Sequence, residues 1–222
     1  MLFRSGLTTI VLVRHGVTDW NLDRRFQGQI DIPLNDEGRR QAELTGRRLA
    51  SDPERERIAA VHTSDLSRAA QTAEPIARAL GLPLHADPAL RERNYGAFEG
   101  RTHDELAQQE VEAWARWRAR EPDFDLPGGG ESLRAFHARV ERALLGLAGR
   151  YPSATVVAVA HGGVLDCAFR IAAGLPLDAP RGHDLLNASL NRIAFDGERF
   201  SLLDWADVAH LEDALDDVEA RG

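Results

Sequence analysis

The spacing of apolar and polar positions first predicts three strands. Residues 8–13 (TTIVLV), 59–63 (AAVHT) and 155–160 (TVVAVA) are mainly apolar runs in which polar side chains do not alternate regularly with apolar ones. Parallel strands covered by helices on both faces have this composition, because neither face meets water. The three runs therefore predict parallel strands that are buried on both faces.

Helical spacing separates these strands. The predicted helices cover 35–50, which opens with the capping residues Asn35 and Asp36, and 67–80 and 164–173, each followed by a glycine and then a proline. Capping residues mark helix starts, whereas glycine and proline mark helix ends. Strands that alternate with helices predict an α/β fold, a three-layer, doubly wound and mostly parallel sheet with helices on both faces.

The middle of the chain predicts a small helical cap. Helical spacing over 103–120 is interrupted by the proline- and glycine-rich segment 122–130 before a further helix over 131–149. A chain of 222 residues fits one core of ordinary size. We therefore expect a single domain over residues 1–222, with a cap or insertion at about 99–130, rather than two domains joined by a linker.

The C-terminal part predicts a hairpin and an acidic tail. Residues 191–196 and 199–205 alternate like strands around Asp196-Gly197, a pair typical of tight turns. The tail from Val208 is acidic and has helical spacing. Hairpin and tail could pair with a second subunit, giving a homodimer, or could cover the sheet edge, and both arrangements stay open.

Composition narrows the classes of protein. Hydrophobic residues make up 43% and charged residues 28%, as in globular proteins in general. A formal charge of −8 disfavours binding to nucleic acid or to acidic membranes. The apolar run 10–13 is too short for a signal peptide or a membrane span. The single cysteine, Cys167, cannot form an intramolecular disulfide and fits a reducing compartment, so we expect a cytoplasmic protein.

Charged and polar residues follow each predicted strand. The first strand runs into Arg14-His15-Gly16, the second into Thr63-Ser64-Asp65 with Arg68 in the next helix, and the third into His161-Gly162-Gly163. Ligands of open α/β sheets bind at the carboxyl ends of the strands, where these side chains converge. Arginine offers a planar fork of donors to phosphate oxygens, and glycine lets a ligand approach backbone N–H groups. A helix beginning near Gly163 adds its positive end, so the pattern predicts a site for a phosphate group.

Six motifs carry a resemblance to a known family. They are LVRHGVTDWN (12–21), FQGQIDIPLNDEGRRQA (26–42), TSDLSRAAQTA (63–73), LRERNYGAFEG (90–100), PGGGES (127–132) and AHGG (160–163). In this order, and over nearly the whole chain, they resemble the histidine phosphatase superfamily, also called the phosphoglycerate mutase-like family. Arg-His-Gly alone would be weak evidence, whereas the ordered set is highly specific.

The resemblance implies a catalytic mechanism without a metal or any other cofactor. It implies that His15 attacks phosphorus and carries the phosphoryl group, a role that suits a neutral imidazole. It further implies that Arg14, Arg68 and His161 stabilise the charged phosphoryl oxygens. Glu92 matches the general acid, which protonates the leaving alkoxide and then takes a proton from water.

Further phosphate or leaving-group contacts are implied at four positions. Asn21, Gln27 and Gly28 match positions at which the family contacts these groups, and Gly162 follows His161 directly. Gln27 stands where mutase relatives usually have serine or threonine. We expect all four residues to bind substrate or phosphate.

The resemblance favours a phosphatase of the phosphomonoester class, acting on a small phosphorylated metabolite. The alternative is a phosphoglycerate mutase, but the segment after Glu99 is short and lacks the paired arginines of the mutase pattern. Small sugar phosphates, phosphoglycerate-like acids, α-ribazole phosphate and phosphoprotein all stay open as substrates. Phosphoprotein fits least well if the tryptophan-bearing cap closes the pocket.

Two other classes of function compete with this interpretation. A non-catalytic phospholigand binder would be expected to lose one of the five matching catalytic positions, and all five are present. A metallohydrolase would need clustered ligands, but neither His-x-His nor His-Glu-x-x-His occurs. Arginines at such a site would also repel a cation.

Other noticeable residues receive structural interpretations. We expect Trp114 and Trp117 to pack in the core or cap and Cys167 to be a buried apolar residue. We expect the arginine-rich stretch 116–120 to form a solvated face, and the alternative is that it steers phosphate toward the pocket. The remaining histidines are expected to be structural or solvated, namely His62, His85, His103, His137, His183 and His210.

Overall fold

The computed structural model describes residues 6–211, which form six strands and seven α-helices. The strands are β1 (Thr8–Arg14), β2 (Ile58–Thr63), β3 (Leu84–Ala86), β4 (Thr155–Ala160), β5 (Leu190–Phe195) and β6 (Phe200–Asp207). The helices are α1 (Asp19–Leu22), α2 (Asp36–Ala50), α3 (Ser67–Leu80), α4 (His103–Gln109), α5 (Val111–Arg118), α6 (Leu133–Arg150) and α7 (Gly162–Ala173).

The six strands form one mixed sheet in the order β3-β2-β4-β1-β5-β6. The first four strands of this order are mutually parallel, whereas β5 is antiparallel to β1 and pairs with β6 as the predicted hairpin. The mostly parallel α/β sheet predicted from the sequence is confirmed. Sequence analysis missed β3, a strand of three residues at the sheet edge whose partial exposure gives no apolar run.

Alternating residues of each central strand face opposite layers of helices. Ile10 and Leu12 of β1 belong to the apolar cluster that includes residues of α6 and α7. Val11 and Val13 belong to the second cluster, with residues of α2 and α3. Both faces of the sheet are therefore buried, which explains why the strand sequences are continuously apolar.

Most predicted helices are present, with small shifts at their ends. Asn35 caps α2, accepting a hydrogen bond from the Gly38 N–H at 2.9 Å. Helix α6 begins after the capping residue Ser132. Helix α7 begins at Gly162, two residues before the predicted start, so its N-terminus directly follows His161.

The prediction of one helix over 103–120 is wrong in one respect, because this segment forms two helices, α4 and α5. The break lies at Glu110, whose backbone (φ −127°, ψ 46°) is not helical. Packing accounts for this break, since Leu106 of α4 and Trp114 of α5 both enter a third buried cluster with Phe26 and Phe98. This cluster joins the cap to the rest of the protein.

The predicted helix of the acidic tail falls mostly outside the described residues. Within residues 6–211, no helix combines the length and the apolar character needed to cross a membrane.

Candidate active site

Two buried histidines lie side by side at the carboxyl edge of the sheet. His15 follows β1 and His161 follows β4, and these strands are parallel neighbours with Arg14 opposite Ala160. The ring centroids lie 5.2 Å apart with the planes at 58°. Exposure is 3% for His15 and 0% for His161. The expected convergence of the two strand ends is therefore present.

Hydrogen bonding defines which nitrogen of His15 carries the proton. Nδ1 lies 2.7 Å from the Gly16 carbonyl oxygen, and because a carbonyl only accepts, Nδ1 must donate. In the neutral ring this leaves the lone pair on Nε2. Asn187 fixes the backbone by donating to the His15 carbonyl at 2.9 Å.

The surroundings keep His15 uncharged. Burial lowers the pKa of His15 well below its usual value of 6.5, and the positive charges of Arg68 and Arg14 lower it further. Burial likewise lowers the pKa of His161, followed by the charges of Arg68, His15 and Arg14. Both rings are therefore neutral near pH 7, and His15 has the protonation state of a nucleophile.

Arg68, in the helix that follows β2, contacts His161. Its side chain is fully buried, and Nε donates to Nδ1 of His161 at 3.2 Å. His161 must then carry its proton on Nε2, which is buried and has no hydrogen-bond partner among the described residues. The other Arg68 nitrogens donate to the carbonyls of Gly28 (2.6 Å) and Ile30 (3.0 Å). Arg68 thereby orients a free donor on His161 and fixes the loop that carries Gln27.

Arg14 is the second buried cation beside the histidines. Its side chain is 1% exposed, and Nη1 donates to the Leu185 carbonyl oxygen. A guanidinium remains charged even when it is buried, so Arg14 and Arg68 bring two positive charges to a protein whose total charge is negative.

Glu92 is held at the N-terminus of α7. Its Oε2 accepts from the Gly163 N–H at 2.9 Å and its Oε1 from the Arg93 N–H at 2.7 Å. Arg139 donates to the Glu92 carbonyl and forms an ion pair with Glu131 at 2.7 Å. The carboxyl group therefore has a fixed position, and Glu92 lines the same cavity as His15.

That cavity has a volume of about 330 Å³. Gln27, Gly28, Arg68 and Gly162 line it together with His15 and Glu92. The side-chain oxygen of Gln27 is buried there and has no hydrogen-bond partner among residues 6–211. The Arg68 guanidinium and the glycines Gly28 and Gly162, rather than this Gln27 oxygen, suit an anion that accepts hydrogen bonds.

Asn21 has a different position from these residues. It does not line the cavity, and its side-chain oxygen accepts from the backbone N–H (3.0 Å) and the hydroxyl (3.1 Å) of Thr18 in the capping box of α1. Its expected role as a phosphate ligand stays a prediction.

The sequence did not predict the outer wall of the cavity. Arg118 and Arg120 line it, although the stretch 116–120 was expected to be a solvated face. Trp117 stacks on Trp114 as expected for cap packing, but it also lines the cavity, as does His103. No sequence signal separates these residues from an ordinary surface helix, because the break at Glu110 decides which way α5 faces.

Several other histidines have structural contacts. His62 Nε2 lies 3.0 Å from the Tyr151 hydroxyl, His210 Nε2 lies 3.1 Å from the Thr45 hydroxyl, and His183 stacks on Phe169. In the described part of the chain, no group of three or more histidine, cysteine, aspartate or glutamate side chains is placed to hold a metal ion.

Comparison with known proteins places this site in a family. Residues 10–208 match the model of the histidine phosphatase superfamily (branch 1). The chain is 38% identical to phosphoglycerate mutase-like protein 4 of Arabidopsis thaliana (92% of this chain, 87% of that protein). It is 39% identical to metal-independent phosphoserine phosphatase of the same plant, over 93% of this chain and 84% of that protein.

A solved structure has the same fold as this chain. YhfR of Bacillus stearothermophilus superposes with a TM-score of 0.82 at 35% identity, covering 91% of this chain and 98% of that one. The fold and the resemblance predicted from the motifs are both confirmed. The chain is thus an enzyme of the histidine phosphatase superfamily (branch 1).

Proposed function

We propose that this enzyme is a metal-independent phosphomonoesterase that forms a phosphohistidine at His15 and acts on a small phosphorylated metabolite. The observation that carries the proposal is the buried, neutral imidazole of His15, whose Nδ1 is engaged by the Gly16 carbonyl. Its Nε2 keeps a lone pair beside two arginines, the combination that nucleophilic attack on phosphorus requires.

In the first step, Nε2 of His15 attacks phosphorus while the bond from phosphorus to the ester oxygen breaks. Glu92 gives its proton to the departing alkoxide, which leaves as an alcohol. The hydrogen bonds from Gly163 and Arg93 hold the carboxyl group in place for this transfer.

Charge on the transferring phosphoryl oxygens is stabilised by Arg14, Arg68 and the Nε2–H of His161. The Nε2–H group of His161 is buried, and the hydrogen bond from Arg68 Nε to Nδ1 of the same ring (3.2 Å) fixes its direction. The ring therefore does not have to reorient when charge develops on the phosphoryl oxygens. Gln27, Gly28 and Gly162 complete the phosphate-binding end of the cavity.

In the second step, water attacks the phosphohistidine. Glu92, now ionised, takes a proton from this water, the bond from phosphorus to Nε2 breaks, and His15 leaves as neutral imidazole. Inorganic phosphate departs and the starting enzyme is restored.

A phosphoglycerate mutase is the second candidate. Arg118 in the cavity lining favours it, because a guanidinium could bind a substrate carboxylate, and several relatives are named mutase-like or probable phosphoglycerate mutase. The similarity to a phosphoserine phosphatase supports water as the acceptor. Conversion of 3-phosphoglycerate to its isomer faster than its hydrolysis would decide for the mutase.

The test is release of inorganic phosphate from a panel of monoesters in the presence of EDTA. We expect hydrolysis by the wild type, loss of hydrolysis in His15→Ala, and unchanged hydrolysis in the matched control His85→Ala, since His85 is exposed and lies on β3. Full activity in His15→Ala would overturn the proposal.

The proposal includes a cellular setting. We propose a small-molecule substrate in the cytoplasm and no nucleic acid or membrane partner, supported by the single cysteine and the net charge of −8. The concentrated positive charge of the cavity is what attracts an anionic ester to this acidic protein.

A further inference from the structure

Four aromatic side chains form part of the outer wall of the active-site cavity, beside Arg118 and Arg120. Phe26, Tyr95, Trp117 and Phe124 line the cavity, and each also belongs to or packs against the buried cluster under the cap. Tyr95, Trp117 and Phe124 are only half-buried. Trp117 and Phe124 of the cap, with Phe26 and Tyr95 beside them, therefore present aromatic surface to the space that a substrate would occupy.

Neighbouring rings fix the plane of Trp117. Its ring stacks on Trp114 with centroids 4.8 Å apart and planes at 18°. The Phe26 ring meets it edge-on, with centroids 5.1 Å apart and planes at 80°. Because Trp114 is 8% exposed and Phe26 7%, this support is itself buried, and Trp117 forms a rigid platform.

An ion pair attaches this platform to the core. Arg120, two residues beyond α5, donates from Nη2 to Asp166 of α7 at 2.7 Å and from Nε to the Leu177 carbonyl at 2.9 Å. Asp166 is also held by Arg170 at 3.1 Å. The wall therefore has a defined position relative to His15 before any ligand binds, which lowers the entropic cost of recognition.

A small polar ester would leave this aromatic surface facing water. Apolar surface is stabilised when it is covered, and planar rings on aromatic side chains gain additional energy from their geometry. We propose that the leaving group of the physiological substrate carries a planar aromatic ring that packs on the wall at Trp117. This inference rests on the proposed phosphatase function and names the substrate class of the same site.

The test uses three esters that leave as similar alkoxides, so that leaving-group chemistry does not decide the result. They are ethyl phosphate, 2-cyclohexylethyl phosphate and 2-phenylethyl phosphate, assayed for kcat/KM with EDTA present. We expect 2-phenylethyl phosphate to exceed ethyl phosphate by about tenfold or more, because its ring is buried. It should exceed the cyclohexyl ester by about threefold or more, because only a planar ring stacks.

Variants locate the preference on the wall. Trp117→Leu should remove most of the preference for the phenyl over the cyclohexyl ester, with the loss mainly in KM, whereas Trp117→Phe should keep part of it. The matched control Trp205→Leu, at a tryptophan that contacts Phe169 and does not line the cavity, should leave the preference unchanged. The ratio between esters is measured on the folded fraction alone, so partial misfolding does not affect it.

Hydrolysis of the three esters at similar rates, or a preference that Trp117→Leu leaves intact, would overturn the inference while the phosphatase function stands. Failure of the wild type to hydrolyse any of these esters or any ester of the metabolite panel would overturn the phosphatase function, and the inference with it.

Discussion

The backbone N–H of Gly163 donates a hydrogen bond to the Glu92 carboxyl group at 2.9 Å, and any side chain at position 163 would displace that group. A Cβ atom on residue 163 would lie 2.3 Å from Oε1 of Glu92. The side chain of the proposed general acid, Glu92, and the N-terminus of α7 are thus in direct contact. A sequence motif alone does not reveal this dependence.

The first prediction concerns this contact. Gly163→Ala should lower kcat by about tenfold to a hundredfold, because the Glu92 carboxyl group must move away from its productive position. The substitution favours helix formation, so we expect little loss of stability. Steady-state kinetics and thermal unfolding measure the two effects separately.

A matched control is Gly146→Ala in the middle of α6, where an added Cβ atom meets nothing within 4 Å. It should leave kcat unchanged and stabilise the protein by about 0.5–1 kcal/mol. Equal kcat values for Gly163→Ala and the wild type would show that the Glu92 carboxyl group need not be fixed by residue 163.

The second prediction concerns pH. Burial and the charges of Arg68 and Arg14 lower the pKa of His15 well below 6.5, so His15 is neutral at pH 6.5 and above. Protonation of Nε2 removes the lone pair that attacks phosphorus. We therefore expect protonation of His15 to lower kcat/KM only when the pH falls well below 6.5. A pH profile of kcat/KM, together with NMR titration of the His15 ring, measures this directly. A His15 titration at 6.5 or above would contradict the electrostatic description of the site.

The third prediction concerns the buried carboxylate of Asp166. Its Oδ2 atom lies 2.7 Å from Nη2 of Arg120 and 3.1 Å from Nε of Arg170, and its Oδ1 atom lies 3.1 Å from Nε2 of His183. Asp166→Asn should lower the free energy of unfolding by about 3–5 kcal/mol, because the fully buried Arg170 side chain loses its counter-charge. Urea unfolding measures the change.

Asp123→Asn provides the control for this prediction. Asp123 forms an ion pair with Arg134, but both side chains are exposed, by 74% and 59%. Exposed pairs contribute little, so the free energy of unfolding should stay at its wild-type value. If both variants lost similar stability, burial would not be the reason for the effect at Asp166.

The convergence of Arg14, His15 and His161 could be predicted from the sequence because these residues directly follow or end the strands. The run that forms β1 ends at Arg14 and His15, and the run that forms β4 ends at His161, so parallel pairing alone brings them together. The continuous apolar character of these runs made the strands recognisable.

Which side chains of residues 103–120 face the cavity could not be predicted in the same way. The direction in which Trp117 and Arg118 point depends on the non-helical backbone of Glu110 and on the contact from Arg120 to Asp166, which is distant in sequence. Helical spacing does not encode either feature. Arg118 and Arg120, two of the arginines expected on a solvated face, therefore line the cavity. Arg118 weakens the sequence-based distinction between phosphatase and mutase.

The most direct measurement is detection of the phosphoenzyme. Rapid quenching during turnover of p-nitrophenyl phosphate, followed by peptide mass spectrometry, should find a phosphoryl group on His15 that is labile in acid and stable in base. His15→Ala should carry no such group and should not turn over. A phosphoryl group on another residue, or turnover by His15→Ala, would contradict the account.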